Sequence, residues 1–189
     1  PFTPPACPPA RPPLLPGHTL LAGGEDLNEA LAGDPANLNP VLELEPDQLY
    51  NVTAPISVGV GNVTIQLSGR ADREEGSKPA LIEVDTDASF AAVAAGGSLS
   101  LIGVSVARSQ TSQARRRRRL QAGLSIPALL NNEGGTLVIS GSDLRSDESP
   151  VLNSVSGDLT ISSSVISGRI IADKGKVTLT GSSFADSSP

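Results

Sequence analysis

The chain has 189 residues, a formal charge of −6, four aromatic side chains, one cysteine and one histidine. That length fits one ordinary domain plus a tail, and the lone Cys7 excludes an intrachain disulfide scaffold. His18 and Cys7 both lie near the N-terminus, which nearly excludes Ser/His or Cys/His catalysis and rules out thiolate or imidazole zinc sites.

Residues 1–23 read as a proline-rich disordered tail or linker. The run PFTPPACPPARPPLLPG favours extended polyproline II, because proline lacks an N–H and fixes φ. A linker, a peptide ligand for an aromatic groove and a wall-type spacer all fit it. Glu25 to Ala32 is the one good helix candidate. Leu27, Ala30 and Leu31 share a face, Glu25 and Asp26 stand at the positive end, and Asp34-Pro35 stops it. Its narrow apolar stripe fits a short lid over the first layer of a β stack. Alternation then predicts strands at Val41–Glu45, Ile56–Val58, Val63–Leu67 and Ala80–Thr86, with Leu42, Leu44, Ile82 and Val84 facing inward.

Further along, one ten-residue phrase keeps returning. It reads GSLSLIGVSV from Gly97, GTLVISGSDL from Gly135, GDLTISSSVI from Gly157 and GKVTLTGSSF from Gly175, with a shorter GNVTI at Gly61. Short apolar strands precede three of the copies: Ala128–Leu130, Val151–Leu152 and Ile170–Ile171. A unit of strand and turn cannot bury its own apolar face, so copies must stack. Alternation predicts an inward set of Leu99, Leu101, Val104 and Val106; Leu137, Ile139 and Leu144; Leu159, Ile161 and Ile166; and Val177, Leu179 and Phe184. The uneven anchor spacing is explained by insertions near 70–78 and 107–126.

The expected fold is therefore all-β: a right-handed parallel β-helix of about five coils over residues 24–189, with a short N-terminal capping helix. The last phrase ends without a closing element, so further coils of the same chain or a partner are expected beyond it.

The phrase, the asparagine before it, the early helix, VLELEPDQLY and NVTIQLSG together resemble the right-handed parallel β-helix, or pectin-lyase-like, superfamily, over roughly Gly24 to Ser188. The resemblance implies fold more than function, since that superfamily includes lyases, hydrolases, adhesins and inert wall proteins. Its lyases hold calcium with acids plus a basic residue. Its hydrolases use clustered aspartates with His, Arg and Lys motifs. This chain has no Asp-Asp pair, no Gly-His-Gly and no Arg-Ile-Lys.

Carboxylates are the remaining candidates for chemistry. Glu43, Glu45 and Asp47 alternate along one strand, and Glu83, Asp85 and Asp87 along another, in each case expected on the outer face. If those strands are sheet neighbours, equivalent acids lie about 4.8 Å apart, close enough for one Ca²⁺ to bridge. Otherwise they form a solvated acidic face. No cofactor is required; calcium is the one candidate.

Arg115, Arg116, Arg117, Arg118 and Arg119 form a basic block in the longer insertion. Without it nine basic residues would face twenty acidic ones, a charge of −11. It fits a solvated loop, a polyanion-binding patch or a processing site. The acidic body itself disfavours nucleic acid as a partner. Asn51 and Asn62 head N-glycosylation triplets, which point outward to a secretory or surface location. Asn131 and Asn153 stand four residues before Gly135 and Gly157. They form either a stacked amide ladder or two unrelated turns. The missing catalytic set points to a non-catalytic extracellular module, with polysaccharide or other surface proteins as partners and no membrane span. The alternatives are a partial carbohydrate-active enzyme built on the acidic faces and polyanion binding through the arginines.

Overall fold

The computed structural model describes residues 14–33, 36–68, 78–84, 89–108, 127–146 and 149–185. Among these the regular structure is nearly all strand, and every strand pairing is parallel. The elements are β1 (His18–Leu21), α1 (Leu27–Ala32), β2 (Val41–Leu44), β3 (Leu49–Val52), β4 (Ile56–Val58), β5 (Gly61–Leu67), β6 (Leu81–Val84), β7 (Ala91–Ala94), β8 (Gly97–Ile102), β9 (Ser105–Arg108), β10 (Leu130–Ser140), β11 (Asp143–Arg145), β12 (Leu152–Ser162), β13 (Val165–Ser167), β14 (Ile170–Ala172), β15 (Lys176–Thr180) and β16 (Ser183–Ala185).

Two sheets share the strands. The first runs β1-β2-β5-β8-β10-β12-β15, with β4, β7 and β14 joined to it. The second runs β3-β6-β9-β11-β13-β16. The chain passes from one sheet to the other and back, and lays each strand beside its counterpart from the previous pass. Register follows the repeat. Gly61 pairs with Gly97, Leu99 with Leu137, Leu137 with Leu159, and Leu159 with Val177.

Alternation explains the core. Leu99, Leu101, Val104, Val106, Leu137, Ile139, Leu144, Leu159, Ile161 and Ile166 are all fully buried, as are Leu44, Tyr50, Ile82 and Phe90. Burying each large aliphatic contributes about 1.5–3 kcal/mol. The last pass differs. Val177, Leu179 and Phe184 keep the inward register but are 44%, 51% and 48% exposed, because among the described residues nothing packs over them.

Two glycine roles hold the passes together. The anchor glycines stack, and a Cβ on Gly135 would lie 2.5 Å from the carbonyl oxygens of Ala94 and Gly97. A Cβ on Gly157 would press on the Gly135 carbonyl, and one on Gly175 on the Gly157 carbonyl. No larger residue fits that column. The second role is a left-handed corner after each phrase strand, taken by Gly103, Gly141 and Gly181. At the equivalent place in the copy that begins at Gly157 the residue is Ser163, at φ 49°.

The structure moves one boundary. β1 lies within residues 1–23, the stretch expected to be tail, and pairs His18 with Val41 and Leu21 with Leu44. The ordered sheet thus begins before residue 24. The helix is Leu27–Ala32, N-capped by Asp26, whose carboxylate accepts from the Asn28 N–H at 2.7 Å.

Candidate functional site

The acidic strands do not meet. Glu43 lies on β2 in the first sheet, in register with Leu20 and Gln66. Glu83 lies on β6 in the second sheet, between Asn51 and Ala107. The neighbour register that a bridging cation needs is absent for this pair, so the expectation of acids about 4.8 Å apart fails for them. Asp85 and Asp87 lie outside the described residues.

The expectation that these acids all face solvent also fails. Glu43 is 4% exposed. Its Oε1 lies 2.7 Å from His18 Nδ1, and its Oε2 accepts from Ser68 Oγ at 3.0 Å. A carboxylate only accepts, so Nδ1 is the imidazole donor in this contact. β1 and the end of β5 cover Glu43. Both partners donate onto one carboxylate, and the serine hydroxyl does not donate to the imidazole. Activating a serine requires the imidazole to receive its proton, so this trio pins β1, β2 and the end of β5 together.

Of the other acids on that segment, Glu45 bonds through its main chain and Asp47 through its carboxylate. The Glu45 N–H donates to Tyr50 Oη at 2.8 Å, and that hydroxyl donates to the Leu21 carbonyl at 2.9 Å. Burial raises the Tyr50 pKa above its usual value, with hydrogen bonding from Glu45 opposing the shift. Asp47 sits at φ 58° and accepts from the Lys78 N–H at 2.9 Å. Among the described residues no group of three or more His, Cys, Asp or Glu side chains is placed to hold a metal ion.

The two asparagines do stack. Asn131 and Asn153 pair in register, and Asn153 Nδ2 donates to Asn131 Oδ1 at 3.4 Å, while Asn131 Nδ2 donates to Ser89 Oγ at 2.6 Å. The next residue, Asn132, is fully buried. Its Oδ1 accepts from the Gly135 N–H at 3.0 Å and its Nδ2 donates to the Asp158 carbonyl at 3.3 Å. Its position three residues before an anchor glycine was the available signal.

A second polar column lines the corner between the sheets. Ser142, Ser164 and Ser182 occupy the same place in three copies of the phrase. Each hydroxyl donates to the carbonyl two residues back: Ser140, Ser162 and Thr180. Each also accepts an N–H from the preceding pass, so Val104, Ser142 and Ser164 are satisfied in turn. Buried corner amides would otherwise lack partners, at about 1–3 kcal/mol each.

Of the glycosylation triplets, Asn62 is exposed and its Nδ2 donates to Asn39 Oδ1 at 3.0 Å. Asn51 is half-buried in β3, and Thr53 of its triplet donates to Asp26 Oδ2 at 2.6 Å. Arg115 to Arg119 lie outside the described residues. The ends of their insertion are joined, with Arg108 Nη2 donating to the Pro127 carbonyl at 2.8 Å.

One open groove of about 610 Å³ lies at the N-terminal end, lined by Thr19, Leu21, Glu25, Asp26, Glu29 and Ala30 among others. No helix among the described residues is long and apolar enough to cross a membrane. No protein-family model, curated protein or solved structure matches the chain.

Proposed function

We propose that the chain is a right-handed parallel β-helix of the pectin-lyase-like kind. In this reading it serves as a non-catalytic extracellular or surface module that presents flat strand faces to carbohydrate. The observation that carries the reading is the use to which the repeat puts its polar side chains. Ser142, Ser164, Ser182, Asn131, Asn132 and Asn153 all bond to neighbouring passes or corners, and His18 is turned onto Glu43. These side chains, among the described residues, are occupied in holding the stack.

The outer face supports the carbohydrate part. Thr64, Ser100, Thr160 and Thr178 fall in one registered outward column with Val138. Hydroxyls both donate and accept, and a strand spacing of about 4.8 Å repeats them as sugar hydroxyls repeat along a chain. A glycan-array screen of the purified chain tests this. Retention of a neutral or acidic polysaccharide, lost when Ser100 and Thr160 become Val, is the expected result. Efficient cleavage of pectin-type polymers would overturn the non-catalytic reading, and an array without binders would overturn the carbohydrate part.

A further inference from the structure

Two asparagines head acceptor triplets, and the fold treats them differently. Asn51 is half-buried, with an acid in register on each side: Glu83 on β6, and Asp26 through an isolated bridge. The hydroxyl of its triplet, Thr53 Oγ1, is engaged with Asp26 Oδ2 at 2.6 Å. Asn62, near the start of β5, is exposed, and the residue between it and Thr64 is Val63 rather than proline, as an acceptor triplet requires. The strand is extended there, so Asn62 and Thr64 fall on one face, outward from the first sheet.

The Asn62 amide is also held in place. Its backbone N–H donates to the Leu38 carbonyl at 2.9 Å, and Nδ2 donates to Asn39 Oδ1 at 3.0 Å. A carboxamide carries two N–H bonds, so a sugar on Nδ2 replaces one and leaves the other for Asn39. The immediate surroundings are apolar. Val60, two residues earlier, is 71% exposed, and Leu38, which lies against Gly61, is 58% exposed. Two such side chains beside one acceptor form a patch, and exposed apolar patches mark surfaces that something covers.

We propose that Asn62, and not Asn51, carries an N-linked glycan whose first sugars lie over Val60 and Leu38. This rests on the extracellular reading. In the transfer, Nδ2 bonds to the anomeric carbon of a lipid-linked oligosaccharide diphosphate. The anomeric carbon–oxygen bond breaks, the lipid diphosphate leaves with the electron pair, and the amide gives up one proton. The attached group is bulky and solubilising, which suits a site bordered by bare aliphatics. Asn62 belongs to the outward column of Ser98, Thr136, Asp158 and Lys176. That column runs beside the hydroxyls of Thr64, Ser100 and Thr160, so the glycan borders the face assigned to carbohydrate at its β2 side.

The full chain, secreted from a eukaryotic cell behind an added signal peptide, provides the test. Release of glycans by a peptide N-glycosidase in heavy-oxygen water should label position 62 alone, as read by mass spectrometry. Asn62→Gln and Thr64→Val should each give the unglycosylated mass, whereas Asn51→Gln should leave the mass of the glycan unchanged. Occupancy of Asn51, or a bare Asn62, overturns the proposal. An Asn62 occupied in the host but bare in the chain from its natural source overturns the extracellular reading instead. The covering of the patch is measured separately. Enzymatic removal of the glycan, or Asn62→Gln, should raise binding of an apolar fluorescent dye several-fold, and adding Leu38→Ser/Val60→Ser should reverse the rise. Dye binding indifferent to the glycan overturns the placement of its sugars over Val60 and Leu38.

Discussion

Replacing Gly157 by alanine separates two reasons for a glycine. Gly157 has φ +88° and stacks on Gly135, where an added Cβ would meet backbone atoms. Gly24 has the same φ of +88°, yet a Cβ there would meet nothing within 4 Å. A left-handed L-residue costs about 1–2 kcal/mol, and alanine returns about 0.4–1 by restricting the unfolded chain. Both variants share those contributions. Gly157→Ala adds overpacking of about 1–3 kcal/mol, since backbone cannot rotate aside as a side chain can. The two variants should therefore differ by about 2 kcal/mol, or roughly 4–8 °C in Tm for a chain of this size. Thermal unfolding followed by circular dichroism measures the difference directly. Equal losses in Gly24→Ala and Gly157→Ala would refute the close-stacking argument and leave only the backbone angle.

Other substitutions probe other layers. Ile139→Asp or Ile161→Asp puts an unpaired charge inside a fully buried column, costing several kcal/mol against a total of about 5–15; loss of the cooperative transition is expected, and a wild-type melting curve would contradict the inward assignment. Ser163→Gly should raise Tm by about 1–4 °C, because glycine relieves the left-handed φ of 49° at small entropic cost. Tyr50→Phe removes the bonds to the Leu21 carbonyl and the Glu45 N–H, and denaturant titration should show a loss of about 1–3 kcal/mol near neutral pH. Because the folded Tyr50 pKa is raised above 10.0, its stabilisation is complete below that pH and declines as pH climbs through the folded value. The tyrosine contribution to the alkaline loss of stability should vanish in Tyr50→Phe, and an unchanged alkaline limb would contradict it.

The repeat columns were legible because two signals agree in them, apolar alternation and glycines at a fixed place. Leu137, Ile139, Leu159 and Ile161 needed nothing more. β7 was not legible: Ala91–Ala94 reads AAVA, and alanine carries little strand signal of its own. β1 was hidden beside the prolines, and with it went the partner of Glu43. Alternation says which face a side chain occupies but not whether that face is covered. It also cannot say that β2 and β6 belong to different sheets, since that depends on pairings across distant segments. The corner serines were visible in the phrase, at one place in three copies, but only their contacts show that they satisfy the amides of the preceding pass.

The hydrogen bond from Arg108 to the Pro127 carbonyl fastens the base of the longest insertion at the boundary of two complete passes. The two residues that flank positions 109–126 are therefore tied to each other directly. Loop-closure cost grows only about 0.6 kcal/mol for each doubling of length, so segments of very different size and charge can be seated between the same two residues while the columns on either side keep their register. Diversification of such a chain is cheap at that seam and expensive everywhere along the stack.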